Sequence, residues 1–467
     1  MVTDDKRSVS EKQKRGILKR ILEVALPVSL ESVFQMSFNV VDQIVVGLLG
    51  AASVAAVGIS NSVVAIAILL CAAIGTGSGV LIAQAYGRKD MEDVSRTAAI
   101  GQTLAGGFGV VIAGPIILFS KPLLISLGAH DDLADLANGY FRLFAASLPL
   151  MILSTVISSA FRSLNDSKTP MVITIASVVL NTGLAFALVL GCGPIPKLGV
   201  TGAGLATLIS QFLRCAVLIV AFYRKENVTW HWPVPSAKVN STSTKLIELT
   251  LPIAVAEVLW GASGFIYALV FIRLGTDALA ASQIVMTIEN IFIVAVAGLG
   301  PAAVAAVGQK LGTGSVQAAK EHANVVLKLG LTTSIILGVL FAGVSLFVSV
   351  LYPKVGAAVL RFAFGGILIL ACFQPAKVLN GIFGNGLLAT GGDTKYVLMA
   401  NLAGTYGIGL PCAIFLGLFT GLGLYGVFFA KGADELTKLV CFFFRYRTPA
   451  WYQKALEDRV PVESKSS

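Results

Sequence analysis

Long apolar segments alternate with short polar loops along the whole chain. Each apolar segment is long enough to cross a bilayer as a helix, which takes about 20 mainly apolar residues. The pattern predicts an all-α polytopic membrane protein with twelve transmembrane helices. The twelve segments lie near residues 24–50, 54–83, 97–119, 138–161, 170–191, 200–223, 246–273, 278–308, 322–351, 357–387, 395–417 and 421–445.

The first segment, LPVSLESVFQMSFNVVDQIVVGLLG at 26–50, is interrupted by Glu31, Gln35, Asn39 and Asp42. Residues spaced four, four and three apart share one face of a helix that has about 3.6 residues per turn. Because a carboxylate in hydrocarbon is costly, this polar stripe is expected to face a protein interior or a watery cavity. It is the first candidate for a functional site.

The composition supports a membrane protein, since 56% of the 467 residues are hydrophobic, 13% are charged and the mean hydropathy is +0.83. The net charge of +10 does not indicate nucleic-acid binding, because the basic residues lie at the chain ends and in interhelical loops. Their distribution predicts that both termini are cytoplasmic. We expect basic tails at 1–20 and 446–467, and count Lys431 and Lys438 with the basic carboxyl end.

The polar stretch at 224–244 separates a first lobe, 21–223, from a second lobe, 245–445. An internal repeat relates the two lobes. An even number of helices in each half makes the repeats parallel, and transporters of this kind bind substrate between two pseudo-symmetric six-helix bundles. Offsets of 225, 227 and 224 residues relate successive parts of the two lobes. They pair Leu26-Pro27 with Leu251-Pro252 and Gly75 with Gly300, then Asp166-Ser167-Lys168 with Asp393-Thr394-Lys395, and finally Gly199 with Gly423 and Gly202 with Gly426.

The polar stripe is absent from the second half. Positions 31, 35, 39 and 42 correspond there to Ala256, Trp260, Gly264 and Tyr267. A stripe that only held helices together would be expected in both halves. This asymmetry therefore favours chemistry in the first lobe.

The first-helix motif LPxxxExxFxMxFNxVDxxxVGxLG resembles the multidrug and toxic compound extrusion (MATE) family. The stretches AAVGISN, AQAYGR, RSLNDSKTP, GVTGAGLAT, VGQKLG and ATGGDTK follow in the order and spacing of that family, so the resemblance covers nearly the whole chain. It implies two six-helix lobes arranged in a V. It also implies efflux of small molecules driven by an inward flow of H⁺ or Na⁺.

The resemblance assigns the coupling aspartate of many family members to Asp42 and its polar partner on the fifth helix to Asn181. Many members carry a second aspartate four residues after this asparagine, where the chain has Ala185. Because Na⁺ needs several oxygen ligands, the missing carboxylate favours H⁺, and no other cofactor is expected. Protonation of Asp42 would remove a charge and could bend the helix at Pro27, where a backbone hydrogen bond is missing.

Several other polar residues have two interpretations. Glu257, Glu289 and Lys377 lie in apolar runs of the second half, either as a buried Lys–Glu pair or as a second site, with both acids coupling and Lys377 in the cavity. Gln35 and Asn39 suit hydrogen bonds to substrate or between helices. Glu31 suits a cavity or the cytoplasmic end of its helix.

Three alternatives remain to be weighed: a major facilitator, a lipid-linked metabolite flippase and an intramembrane enzyme. The loop AQAYGRKDMED differs from the charged loop of major facilitators, and no catalytic or metal-ligating residues converge, so we predict a transporter and not an enzyme. The acidic stripe predicts lipophilic or cationic substrates, with an organic anion or a dedicated natural product left open. We expect a monomer embedded in the lipid of a bacterial inner or plasma membrane, without a nucleic-acid partner.

Overall fold

The computed structural model describes residues 2–191, 196–225, 228–229 and 236–457, with only the backbone for residues 2–12, 38–39, 51, 61–71 and 236–240. Within these ranges the chain forms α-helices, three π-helical segments and one short 3₁₀ segment, and no β-strand. A helix satisfies its backbone polar groups within one segment, which is the requirement in a bilayer. The prediction of an all-α protein is confirmed.

The chain divides into two compact units, which we call the N-unit, Leu30–Glu248, and the C-unit, Met1–Ser29 together with Leu249–Ser467. The first helix, α1 (Val2–Gly47), is shared between them, because the division falls at Ser29. The predicted lobes differ from these units at residues 21–29, which belong to the C-unit, and at residues 245–248, which belong to the N-unit. The first turns of the membrane segment therefore belong with the carboxyl-terminal half.

The N-unit is built from the end of α1 and the helices that follow it. These are α2 (Ala51–Gly87), α3 (Met91–Leu118), α4 (Ser120–Ser126), α5 (Asp131–Ser163), α6 (Lys168–Leu190) and α7 (Val200–Tyr223). The predicted polar linker at 224–244 is partly helical, because the next helix, α8 (Ser236–Arg273), already begins inside it.

The C-unit continues with helices that are interrupted more often. These are α9 (Thr276–Val294), α10 (Leu299–Thr313), α11 (Val316–Val344), α12 (Val348–Leu351), α13 (Ala357–Gly381), α14 (Thr394–Leu402), α15 (Leu410–Ile414), α16 (Gly423–Arg447) and α17 (Ala450–Glu457). The π-helical segments are Ile382–Leu388, Ala403–Gly409 and Phe415–Phe419, and the 3₁₀ segment is Ser345–Phe347.

Ten helices of the described part are long and apolar enough to cross a membrane, which makes this a multi-pass membrane protein. The helices α2 and α16 occupy the positions of the predicted second and twelfth spans but are not among the ten. In α16 the reason is visible in the sequence, since Lys431, Asp434, Glu435 and Lys438 interrupt its apolar run. Ten of the twelve predicted spans are thus supported.

The internal repeat is visible in the backbone turns. At four pairs of equivalent positions both residues have a positive φ, a conformation that residues other than glycine rarely adopt. The same turns therefore end and begin helices in both halves. The pairs are Gly50 (106°) with Gly275 (108°), Lys89 (60°) with Gly314 (83°), Asn165 (61°) with Gly392 (87°) and Gly199 (59°) with Gly423 (51°).

A second repeated feature is a close approach between helices. A Cβ atom on Gly202 would lie 2.6 Å from the carbonyl oxygen of Leu188, and one on Gly426 would lie 2.6 Å from that of Leu416. Small residues at such positions let the backbones of membrane helices come together. Gly202 and Gly426, which the internal repeat pairs, therefore both allow a close approach between two helices.

Both predicted tails contain ordered helix in the C-unit. The helix α1 starts at Val2, so residues 2–20 of the proposed tail are helical, and Ile17 and Ile21 are buried in the core with Leu299. Burial of one such side chain stabilises the fold by about 1.5–3 kcal/mol. In the second tail, α17 places a fully buried Trp451 so close to Gly391 that a Cβ there would lie 1.5 Å from the tryptophan carbonyl oxygen.

Candidate functional site

Asp42 lies on α1 next to an apolar core of the N-unit. Val45 and Val46, on the same side of the helix, are fully buried in this core together with Ala185 of α6. Asp42 itself is half-buried, and its Oδ1 atom is buried without a hydrogen-bond partner among the described residues. An unpaired polar atom in such a place is uncommon in folded proteins, so it favours a functional role.

Asn181 of α6 is buried and donates hydrogen bonds to α7. Its Nδ2 atom lies 2.9 Å from Ser210 Oγ and 3.4 Å from Thr207 Oγ1, whereas its Oδ1 atom has no partner among the described residues. No hydrogen bond joins Asn181 to Asp42 in this part of the structure. The two predicted coupling residues are therefore placed in one unit without being paired.

Glu31, for which a cavity position was one of two interpretations, lies in a buried ion cluster and is not among the described lining residues of the N-unit cavity. Its side chain is 2% exposed, and Arg162 Nη2 of α5 lies 2.8 Å from its Oε2 atom. Its Oε1 atom accepts from Thr174 Oγ1 at 2.8 Å and lies 3.4 Å from Arg214 Nη2 of α7. The glutamate of α1 thus contacts α5, α6 and α7, and it forms ion pairs with two arginines.

A cavity of about 220 Å³ opens beside this cluster in the N-unit. Of the predicted cavity residues it includes Gln35, while the side chain of Asn39 lies outside the described residues. The charged side chain among its described lining residues is Arg214, so the expected acidic cavity is wrong for this wall. The described residues that line it are Gln35, Met151, Thr155, Thr174, Ser177, Val178, Asn181, Ser210, Gln211 and Arg214.

In the C-unit, Lys377 of α13 forms an ion pair with Glu289 of α9. Lys377 Nζ lies 2.9 Å from Glu289 Oε1, and the glutamate is 5% exposed. This geometry is that of the buried Lys–Glu pair, one of the two interpretations of these residues. Lys377 also lines a polar cavity, so the other interpretation, a second functional site, stays open.

That cavity has a volume of about 240 Å³ and is lined by charges of both signs. Glu257 of α8, Lys377, Glu435 and Lys438 contribute side chains to it. Glu257 has no hydrogen bond or ion pair within the described residues, unlike Glu435, whose Oε2 atom accepts from Asn380 Nδ2 at 2.8 Å. Among the described residues, Glu257 is therefore an acid of this cavity wall whose side chain is unpaired.

The acidic and basic residues of α16 were missed as site residues by the sequence analysis. Lys438 is 5% exposed, and its Nζ atom lies 2.8 Å from Asp434 Oδ1 and 3.6 Å from Glu435 Oε1. Counting Lys438 with a basic tail was therefore wrong, and Lys431, half-buried over the ring of Tyr267, is not a tail residue either. The available signal was the spacing of Asp434 and Lys438, four residues apart in an apolar helix.

Two π-helical segments shape the same cavity. Ile382–Leu388 contributes Asn385, and Ala403–Gly409 contributes Thr405 and Tyr406. A π-helical turn widens the helix locally and is often found at functional sites. These turns could not be predicted from the apolar periodicity.

A family model described as MatE matches residues 27–187 and 252–415. These residues make up more than half of the chain. The chain belongs to the MatE family, the multidrug and toxic compound extrusion (MATE) transporters. The two matched stretches begin at Pro27 and Pro252, which the internal repeat had already paired.

Curated relatives of this MATE transporter cover almost its full length. It is 28% identical over 441 residues to the probable multidrug resistance protein NorM of Bradyrhizobium diazoefficiens, covering 91% of this chain and 92% of the relative. It is 24% identical over 454 residues to the probable multidrug resistance protein NorM of Thermotoga maritima, covering 96% of each. A crystal structure of MATE in the bent conformation has the same fold, with a TM-score of 0.85, 21% identity and coverage of 95% of this chain and 99% of that one.

The family match ends before the two helices that carry most of the charged cavity residues. Arg214 of α7 and the acidic pair of α16 lie outside the matched stretches 27–187 and 252–415. Membership in the MATE family therefore explains the fold and the first helix. The match to the family model therefore does not bear on Arg214, Asp434 or Glu435, and their role has to be argued from the structure.

Proposed function

We propose that this MATE transporter is a secondary active antiporter, which exports small organic molecules in exchange for protons. The names of its relatives, probable multidrug resistance proteins, support an efflux role. The observation that carries the proton coupling is the Oδ1 atom of Asp42, buried beside an apolar core without a hydrogen-bond partner among the described residues.

A carboxylate with one buried oxygen that lacks a hydrogen-bond partner among the described residues favours a proton over a sodium ion. Burial disfavours the charged form of a carboxyl group, so Asp42 would take up and release a proton during each cycle. The position of a second carboxylate in many family members is occupied by Ala185, which is 1% exposed within the apolar core. With one oxygen-bearing group fewer, a cage of several oxygen ligands for Na⁺ is less favoured.

The coupling step would act through α1. Protonation removes the negative charge from Asp42, which lowers the cost of packing this face of the helix against apolar side chains. The same helix contains Pro27, where the backbone hydrogen bond to residue 23 is missing, and the division between the compact units falls at Ser29. We propose that α1 rearranges near Pro27 when Asp42 changes its protonation state.

In the C-unit, Glu257 is the better candidate for a second proton site, because Glu289 is already paired with Lys377. Lys377 faces the cavity and could contact substrate only by weakening this pair. We place the transporter in a bacterial inner or plasma membrane with both termini in the cytoplasm, acting as a monomer on a small-molecule substrate. The chain is proposed to have no enzymatic activity.

Transport by the purified protein in proteoliposomes tests the proposal. Export of a fluorescent organic cation should follow an imposed pH gradient and not an imposed sodium gradient. Asp42→Asn keeps the size of the side chain but cannot exchange a proton, so proton-coupled export should fall to the level of protein-free liposomes. Asp135→Asn, which removes an exposed carboxylate paired with Lys121, should transport like the unaltered protein. Export driven only by sodium, or full activity of Asp42→Asn, would refute proton coupling through this residue.

A further inference from the structure

Arg214 is a buried cation in the wall of the N-unit cavity. Its side chain is 9% exposed, and its contact with Glu31 is long, at 3.4 Å from Nη2 to Oε1. The stronger contact of Glu31 is made by Arg162 at 2.8 Å. The Nε atom of Arg214 has no hydrogen-bond partner among the described residues. The guanidinium group therefore has hydrogen-bonding capacity that the described residues do not satisfy.

The ion cluster beside the cavity carries an excess positive charge. It contains two arginines and one glutamate, so its net charge is +2 − 1 = +1. None of the described lining residues of the cavity is acidic. Because a buried unpaired charge costs several kcal/mol, an anion in the cavity would be stabilised by this excess.

The repeat supplies an internal comparison for this charge. At the offset of 224 residues that pairs Gly202 with Gly426, Arg214 corresponds to Lys438. The two neighbours that pair with Lys438 in the C-unit are Asp434 and Glu435, and their counterparts in the N-unit are Ser210 and Gln211. The cation is kept in both units, whereas the acids that neutralise it are present in one.

The same wall offers acceptors for a hydrogen-bond donor. The Oδ1 atom of Asn181 and the Oε1 atom of Gln211 are buried and lack partners among the described residues. Both side chains are at least nine-tenths buried and line the cavity with Arg214. A ligand that suits all three would carry a negative group at one end and an N–H group at the other.

We propose that the N-unit cavity binds a small organic molecule with one carboxylate, held by Arg214, and an N–H donor directed at Asn181 and Gln211. Arginine binds carboxylates through charge-assisted hydrogen bonds, often two at once. This assignment names the charge class of one ligand site and rests on the proposed function only in that the bound molecule is exported. Binding is therefore tested at equilibrium, without an ion gradient.

Three probes of nearly equal shape separate the charge from the rest of the ligand. These are 4-aminobenzoate, 4-aminobenzamide and 4-aminobenzamidine, which carry charges of −1, 0 and +1 at neutral pH. Titration calorimetry with the full chain in lipid nanodiscs should show the carboxylate binding at least about tenfold more tightly than the amide, a difference of about 1.4 kcal/mol. The amidine should not compete with it. Equal or tighter binding of the amide or the amidine would overturn the proposal.

Two variants locate the site. Arg214→Gln removes the cation, and Gln211→Glu restores the acid that the C-unit has at the equivalent position, so both should abolish the tenfold preference. The control Lys121→Gln removes an exposed cation that is not among the described lining residues of the cavity, and it should preserve the tenfold preference. If Arg214→Gln does not fold, Gln211→Glu and the probe series decide the matter. A preference that survives in Gln211→Glu would place the carboxylate elsewhere. Failure of proton-coupled export alone would leave this binding result unchanged.

Discussion

The two units of this transporter share their backbone turns but not their polar interiors. Both halves of the chain contain a proline within their first membrane helix, Pro27 in α1 and Pro252 in α8, and both have a positive φ at the same four positions. In contrast, Asp42 of α1 corresponds to Tyr267 of α8, and the acids of the C-unit lie at other positions, on α8, α9 and α16. Helix ends and close approaches are fixed by geometry, so both halves retained them.

The cavities differ in the same way. The C-unit cavity has cations and acids that pair with one another, such as Lys438 with Asp434 and Glu435. The N-unit cavity has Arg214, whose acid is shared with Arg162. Polar residues in a membrane protein are kept at a cost and therefore indicate function. A difference between equivalent walls is thus more informative than either wall alone.

The largest effect that would test this comparison is expected from Glu31→Gln. This change leaves Arg162 and Arg214 buried without an acid and should destabilise the protein by about 3–5 kcal/mol. The matched change in the C-unit, Glu289→Gln, leaves one cation without its acid, Lys377, whose side chain is 27% exposed, and should cost about 1–3 kcal/mol. Thermal unfolding in detergent micelles measures both. If the two variants had the same melting temperature, the charge clusters would not differ as proposed.

The ion-pair partners of Glu31 could not be predicted from the sequence. The periodicity of α1 placed Glu31, Gln35 and Asp42 on one face, and the structure places Gln35 in the cavity wall and Glu31 in the cluster behind it. Arg162 and Arg214 are 131 and 183 residues away in sequence. A helical pattern gives the face of one helix but not the residue that meets it, because that depends on helix packing. The repeat, which compares a sequence with itself, paired Gly199 with Gly423, and in the structure both have a positive φ at the start of a helix.

A smaller effect is expected from two glycines that the repeat makes equivalent. Gly202→Ala and Gly426→Ala would each place a Cβ 2.6 Å from a carbonyl oxygen, and should destabilise the protein by about 1–3 kcal/mol. The controls are Gly183→Ala and Gly407→Ala, since a Cβ at either position meets nothing within 4 Å. They should be neutral or slightly stabilising. Melting temperatures that fall in one half only would show that the two close approaches are not equivalent.

The smallest effect is expected from an aspartate in a loop that occurs at equivalent positions in the two halves, Asp166 and Asp393. Asp393 pairs with Arg445 near the end of α16, and Asp166 pairs with Lys225 just after α7, at 2.6 Å. Burial by itself raises the pKa of Asp166, but hydrogen bonds from Lys225 and from Thr169, together with the lysine charge, hold this pKa below its ordinary value. The aspartate therefore stabilises the fold in its charged form.

A pKa lowered by folding gives stability that is present above the unfolded value of about 3.9 and is lost as the pH falls through the folded value. Asp166→Asn should therefore be less stable than the unaltered protein by about 0.5–1 kcal/mol at pH 7, because the ion pair is partly exposed. The difference should persist to about pH 5 and shrink below about pH 4. Melting temperatures between pH 7 and pH 3 measure it, with Asp135→Asn as an exposed control. A difference that grows on acidification would mean that the carboxyl group is neutral in the folded loop, and the two halves would then use their acidic loops differently.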